Sequence, residues 1–412
     1  MNKNKIVVKN KILVLSSFLI LLSCVSEFNP DLPAKETDVL IVGGSIVGNT
    51  TCTIYLGRNL SVTTGTDREN HYVEEGIVTL IDGKGNESSP AVNAGKGAYQ
   101  LQVGELDENT LYGVKIIYNG NTYQSELSLP LLTPPIDSIS FQQPVRYGPV
   151  DFCVSNHNPS EEIGYYRWQY EEDWEQIVSY YTILDYDTAK GGYYELDTIA
   201  VPYRCMHKTR SNPQTVSSTA KLRENVIINQ PIFNVDPAIR FRELYCITVT
   251  QQILSRRGYE YFQNKRELNE DLGGLFSPQP SMIEGNISCL TDPEKRAIGY
   301  IEVNKNLTSK KLFVTPGEIS SRYGAQSCEE ILSIGDVNSL LGEQQITMTD
   351  YYKMGYRPYL DKEYRWNLER YLQNPGDLNR ILMWGDGECL DCRLSGGVME
   401  KPEWWPARPG DE

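Results

Sequence analysis

The amino-acid sequence predicts a mainly β protein: an N-terminal immunoglobulin-like or transthyretin-like sandwich, then a larger β-rich domain with one or two covering helices. Three observations support this prediction. Apolar and polar residues alternate over many short segments, which is the period of a β-strand. The 412 residues include 27 tyrosines, 33 glycines and 22 prolines, a composition that favours strands and turns. Helical spacing occurs only in short stretches, so helices are expected to cover a sheet.

The first 23 residues predict a secretory signal of the lipoprotein type. An apolar run of residues 12–22 precedes Ser23 and Cys24, and it is too short for a comfortable membrane-spanning helix. Leu21 to Cys24 resembles a lipobox, in which the cysteine thiol receives the lipid. An ordinary cleaved signal is the alternative. The basic residues before the run are Lys3, Lys5, Lys9 and Lys11.

Residues 24–37 predict an extended tether behind a lipidated Cys24. Pro30 and Pro33 lie among polar residues, which is typical of a linker rather than of packed structure. The chain has a net charge of −15, so phosphate backbones and anionic lipid surfaces repel it. We therefore expect no nucleic-acid partner, and we expect attachment to a membrane through the lipid alone.

Residues 38–133 predict the N-terminal sandwich. Asn119-Gly120 supplies the positive φ angles of a tight hairpin turn between two strands. Pro134 and Pro135 cannot continue a strand ladder, so the domain boundary is placed there. The six segments that alternate in β fashion are residues 39–48, 52–62, 71–82, 98–103, 112–118 and 122–129.

Residues 134–412 predict the larger domain. Strand character returns in residues 136–142, 148–156, 164–183, 244–254 and 299–314. Residues 251–270 have helical spacing and predict an amphipathic helix over one sheet face, although Gly258 interrupts it. A second helix is expected within residues 361–374.

Eight cysteines remain once Cys24 is set aside, and an even number in an exported chain is compatible with disulfides. Cys389 and Cys392 form a CxxC pair, for which bonds to two different partners, tying the tail to the body, are preferred over redox or metal chemistry. The spacing leaves the pairing open. The candidate disulfide cysteines are Cys205, Cys246, Cys289, Cys328, Cys389 and Cys392.

No motif predicts catalysis, a cofactor or a metal. Gly43 and Gly48 fit a dinucleotide fingerprint, but Ser45 stands at its middle position and a strand-like segment follows. The three histidines occur in no zinc-type pair, and no serine sits in a nucleophile elbow. We therefore expect a protein that is not an enzyme.

The densest aromatic run, residues 165–181, is the candidate binding surface. Tyr166, Trp168 and Trp174 could form a platform for a sugar or a partner. Strand alternation favours the other interpretation, in which one face packs in the core while Arg167 and Gln169 point the opposite way.

Several segments, in order, resemble Bacteroidota outer-membrane lipoproteins that share a domain of unknown function, numbered forty-two forty-nine. The tail CLDCRLSGGVMEKPEWW and the QPSMIEGN stretch are the most specific. Tyr300-Ile301 departs from the family's frequent Tyr-Phe. The other segments are residues 52–58, 165–175, 259–263 and 297–303.

This resemblance implies a surface accessory to nutrient uptake, because such lipoproteins are commonly encoded beside TonB-dependent receptors. The leading hypothesis is therefore a non-enzymatic, lipid-anchored accessory of a TonB-dependent transporter on the cell surface. One alternative is a surface glycan-binding or adhesive protein that uses the aromatic run, and another is a hydrolase whose site the sequence does not show.

Overall fold

The structure is a computed structural model. The predicted signal, the tether with Cys24, and the QPSMIE residues (279–284) lie outside the described part. The described residues are 39–58, 71–160, 162–197, 200–210, 214–237, 239–271, 285–321, 328, 331–333, 336–339 and 347–407.

Strands dominate the described residues, as predicted. The first half contains β1 (Leu40–Gly43), β2 (Ser45–Val47), β3 (Thr50–Arg58), β4 (Ile77–Asp82), β5 (Val92–Asn93), β6 (Ala98–Val103), β7 (Tyr112–Tyr118), β8 (Asn121–Ser125), β9 (Ser138–Gln142), β10 (Val150–His157), β11 (Tyr165–Ile177), β12 (Leu184–Asp187) and β13 (Gly192–Glu195). The second half contains β14 (Arg204–Arg210), β15 (Thr215–Ser218), β16 (Val226–Val235), β17 (Tyr245–Ile253), β18 (Ile287–Cys289), β19 (Ala297–Gly299), β20 (Glu302–Asn304), β21 (Thr308–Val314), β22 (Ile331–Ser333), β23 (Tyr356–Leu360) and β24 (Leu382–Asp386).

The α-helices whose two ends both lie in the described residues are α1 (Arg256–Asp271), α2 (Met348–Lys353), α3 (Leu368–Gln373) and α4 (Pro375–Ile381). None of them is long and apolar enough to cross a membrane. Helix α1 confirms the predicted covering helix, and it packs against β11 and β15. It begins five residues later than predicted, because Gln251–Ile253 continue β17 and pair with β11. Helix α3 confirms the second predicted helix.

The first sandwich stacks the sheet β19-β1-β3-β6-β5 on the sheet β18-β8-β7-β4. Alternation builds it: Cys52, Ile54 and Leu56 of β3 are buried, while the residues between them are not. The hairpin between β7 and β8 turns at Asn119 and Gly120, whose φ angles are +48° and +73°. This turn confirms the hairpin that the sequence predicts.

Residues 285–307, hereafter the returning segment, complete the first sandwich from far along the chain. Strand β19 runs parallel to β1, β20 runs parallel to β2, and β18 pairs antiparallel with β8. Ile301 and Val303 are buried in the first core. The sequence assigned this segment to the larger domain, so the first sandwich is discontinuous and extends beyond residues 38–133.

The second sandwich packs the sheet β16-β10-β9 against the sheet β14-β11-β17-β21, with β15 also paired to β11. Phe152, Trp168 and Tyr245 are among its fully buried side chains. Strand β21 directly follows β20, so the returning segment leads from one sandwich into the other. Thr133 and Asn306 exchange hydrogen bonds at this junction.

A third hydrophobic cluster lies in the C-terminal part, around Trp384. The sheet β22-β24-β23, helices α2, α3 and α4, and the hairpin β12-β13 surround it. The region predicted as one larger domain therefore contains more than one hydrophobic core.

Two disulfides hold the tail. Cys205 of β14 bonds to Cys392, and Cys328 bonds to Cys389. The CxxC cysteines thus have different partners, as the sequence analysis preferred. The expectation that Cys246 and Cys289 are also bridged is wrong. Both are free and buried in different clusters, Cys289 in the first core and Cys246 beside Met206 and Trp405.

Candidate functional site

A cleft of about 660 Å³ lies where the first sandwich, the second sandwich and helix α1 meet. The wall from the first sandwich carries backbone and hydroxyl groups around the β1–β3 region. The opposite wall carries amides, aromatic rings and two cations. The lining residues used below are Ser45, Thr51, Thr53, Tyr55, Arg167, Gln169, Gln214, Tyr261, Phe262 and Lys265.

Arg167 of β11 is the central residue of the cleft. Its side chain is buried, at 7% exposure. Nη1 donates to Oε1 of Gln214 at 3.2 Å, and Nη2 donates to Oε1 of Gln252. Its Nε has no hydrogen-bond partner among the described residues. Phe262 presents its ring 4.3 Å from the guanidinium carbon, so a cation–π contact supplements two neutral acceptors.

The charge of Arg167 is only weakly compensated. Burial lowers its pKa to about 10, and the charge of Glu302 opposes that shift. The guanidinium is therefore cationic at neutral pH. No carboxylate of the described residues lies within ion-pair distance of it. A buried cation that retains an unused donor is costly.

Lys265 of helix α1 brings a second cation to the rim. It follows Tyr261 by four positions and Phe262 by three, which places all three side chains along one helix face. Desolvation lowers the pKa of the Lys265 ammonium, and the charge of Arg167 lowers it further. Two like charges therefore face one cavity.

Glu302 of β20 lies behind the cleft and anchors the start of helix α1. Its Oε2 accepts hydrogen bonds from the backbone N–H of Ser255 at 2.9 Å and from the Ser255 hydroxyl at 3.0 Å. The side chain is 2% exposed. Burial raises its pKa to about 7, against those hydrogen bonds and the charge of Arg167. Glu302 is not among the lining residues.

The raised pKa of Glu302 makes stability depend on pH. The native state retains a proton that the unfolded chain releases above its ordinary pKa of 4.5. The free energy of unfolding is therefore expected to fall as pH rises from about 4.5 to 7, by up to about 3 kcal/mol from this group. Urea unfolding of the wild type and of Glu302→Gln across this range measures it. Arg167, Tyr300 and the other neighbours are present in both proteins, so the difference between the two free energies of unfolding reports on Glu302. A difference that stays constant across this pH range contradicts the raised pKa of Glu302.

Gly258 in the first turn of helix α1 allows this close packing. A Cβ there would collide with Oε2 of Glu302 and would crowd the Tyr300 ring. Gly258→Ala is therefore expected to destabilise the protein by about 1–2 kcal/mol, although alanine favours the helix. Gly376→Ala is the matched control in helix α4, because open space surrounds that position. Denaturant unfolding should show opposite signs for the two variants, and equal effects would contradict the collision.

The predicted aromatic platform is not at the surface. Tyr166 and Trp168 are buried in the second core, where Trp168 Nε1 donates to Oε1 of Gln251 at 2.8 Å. Trp174 is half-buried and stacks on His207 with ring centroids 5.2 Å apart. The strand is covered on this face by its partner sheet, so the three side chains form no sugar platform. Core packing, the preferred interpretation, is confirmed for Tyr166 and Trp168.

Strand alternation predicts that Arg167 and Gln169 lie on the face of β11 opposite the buried rings, but it does not mark them as a site. Their alternation with the buried rings was the available signal. What it could not show is that helix α1 and the β1–β3 region cover that face. Among the described residues, no group of three or more His, Cys, Asp or Glu side chains could hold a metal ion.

These features define a class: a β-sandwich protein of several sheets, with an open cleft between two sandwiches that is lined by cations, amides and hydroxyls. The chain belongs to the family described as Domain of unknown function (DUF4249), whose sequence model matches residues 25–310. The resemblance noted from the sequence is thereby confirmed at the level of the family.

Two solved structures show distant similarity. A two-domain fibronectin type-III segment of chicken tenascin has 9% identity and a TM-score of 0.15, covering 51% of this chain and 88% of that one. The FN1–FN3 domains of chicken CNTN1 have 15% identity and a TM-score of 0.16, and the match covers 52% of this chain and 62% of that one. No curated protein matches the chain.

Proposed function

We propose that the protein is a lipid-anchored accessory binding protein of the outer membrane, which assists a TonB-dependent receptor in nutrient uptake at the cell surface. The lipobox at Cys24 and the proline-bearing tether support the anchor. The receptor partnership has its support in the lipoproteins that the sequence resembles. The proposal includes no catalytic step.

The observation that carries the binding role is the buried Arg167 at the floor of the cleft. Its Nε is unused, and the side chain is held in place by Gln214, Gln252 and Phe262. A cation that is already held in place at a cleft suits ligand capture, because little ordering is needed when a ligand binds. Delivery to a transporter would require such capture and release.

The proposal is tested by affinity purification from native membranes, with wild type and Cys24→Ser compared. The wild type should carry an acyl label, fractionate with the outer membrane and co-purify with a TonB-dependent receptor. Cys24→Ser should lose the label and the membrane location. Absence of any such receptor from wild-type purifications under several nutrient conditions would overturn the partnership. Unchanged fractionation of Cys24→Ser would overturn the anchor.

A further inference from the structure

We propose that the cleft binds a small organic anion whose carboxylate or phosphate group pairs with Arg167 and Lys265. This inference deepens the proposed function, and it rests on that function only in taking the cleft as the ligand site.

Arg167 offers an incomplete set of contacts. Two of its nitrogens donate to neutral amide oxygens, while Nε donates to nothing in the described part of the chain. A guanidinium presents its donors in a planar fork that matches the oxygens of a carboxylate or phosphate. Gln214 itself lines the cleft, so an anion bound there could compete with its side-chain oxygen for the Nη1 donor of Arg167.

Lys265 adds a second positive charge to the lining of the same cavity, which also favours an anion. Glu302, the carboxylate that interacts with Arg167 through its charge, stands behind the lining rather than in it. The described lining contains no Asp or Glu side chain. The cavity therefore has a positive interior in a protein of net charge −15, and a bound anion would relieve the repulsion between the two cations.

The rest of the lining indicates an organic ligand rather than a bare inorganic ion. The cleft volume lies within the range of about 300–1,000 Å³ that small-molecule sites occupy. Tyr55 and Tyr261 contribute aromatic side chains to the lining, and Thr51 and Thr53 contribute side chains that carry hydroxyl groups. Aromatic and hydroxyl groups around a central cation suit a polar body that carries one acidic group.

Large polyanions fit less well. The excess of acidic residues over the whole chain repels nucleic acids and anionic bilayers. A small ligand enters the cleft without meeting the rest of the acidic surface. We therefore assign the cleft to a small molecule.

Calorimetric titration of the full-length protein in detergent, at constant ionic strength, tests the inference. The ligands are glucuronate, glucose 6-phosphate, benzoate and citrate, with glucose and benzamide as neutral counterparts. At least one acid should bind, and its neutral counterpart should bind about tenfold more weakly or not at all. Comparison of glucuronate with glucose 6-phosphate separates carboxylate from phosphate recognition.

Three variants test whether the ligand binds in the cleft. Arg167→Gln should weaken it by about tenfold or more, and Lys265→Gln by a smaller factor. Lys84→Gln, which removes the same charge from an exposed turn of the first sandwich, should leave it unchanged. The NMR signal of Arg167 Nε should shift during titration of the wild type, which keeps the test valid if Arg167→Gln misfolds.

Two results would overturn the inference. One is that no acid of the panel, at millimolar concentration, produces heat or moves the Arg167 Nε signal. The other is equal binding by wild type, Lys265→Gln and Lys84→Gln. Neither result bears on receptor co-purification, so failure here and failure of the proposed function are distinguishable.

Discussion

A fragment that ends at Thr133 is expected to remain unfolded, although it contains every strand that the sequence assigned to the first sandwich. The fragment lacks β18, β19 and β20, so β1 and β8 each lose a paired neighbour. It also lacks the buried Ile301 and Val303. Burial of such a side chain contributes about 1.5–3 kcal/mol, and a domain of this size has only about 5–15 kcal/mol of net stability.

Far-UV circular dichroism and urea unfolding measure this expectation. The control fragment joins residues 38–133 to the returning segment through a flexible linker, and it should unfold cooperatively. A cooperative transition in the shorter fragment would show that the first sandwich does not depend on residues 285–307. Unpaired edges also predict that the shorter fragment aggregates more readily than the control.

Removal of the Cys205–Cys392 disulfide is expected to cost up to about 5 kcal/mol of unfolding free energy. The bond joins residues 187 positions apart in sequence, and the stabilisation from a cross-link increases with the loop that it closes in the unfolded chain. The Cys328–Cys389 bond, with a separation of 61, should contribute somewhat less. Each pair is replaced by serines in its own double variant, because a single substitution would leave a reactive thiol.

Denaturant unfolding with and without reductant measures the two contributions. Reductant should destabilise the wild type most and should affect each double variant only through its remaining bond. Peptide mapping under non-reducing conditions provides the control, since it should recover the same two pairs in folded protein. If the double variant that lacks Cys205 and Cys392 has the same free energy of unfolding as the wild type, the expected cost is contradicted.

Local features were predictable from the sequence because local physics determines them. Alternation located β3, β6, β7 and β8, and Asn119-Gly120 located the hairpin turn between the last two. The sequence predicts the start of helix α1 five residues too early, because Gln251–Ile253 suit a helix as well as a strand. Their pairing with β11 decided the outcome, and such tertiary contacts override local preference.

Long-range features were not predictable. Strands β18, β19 and β20 have three residues each, and nothing in so short a run shows a partner near the start of the chain. The cleft was missed for the same reason. Arg167 and Gln169 have the pattern of an ordinary outer strand face, and only the packing of helix α1 and the first sandwich makes that face concave.

The buried free thiols of the described residues also affect how long the two disulfides persist. These thiols belong to Cys52, Cys153, Cys246 and Cys289. Exchange of a disulfide begins with attack by a thiolate. Burial raises the pKa of Cys246 to about 11 and also raises that of Cys153, so at neutral pH only about one Cys246 in ten thousand is ionised. The thiols that could attack the disulfides of the chain are therefore kept in an unreactive, protonated form. Once folded, it should keep its two bonds even where oxidants and foreign thiols compete, whereas a denatured molecule in the same surroundings would soon lose the correct pairing.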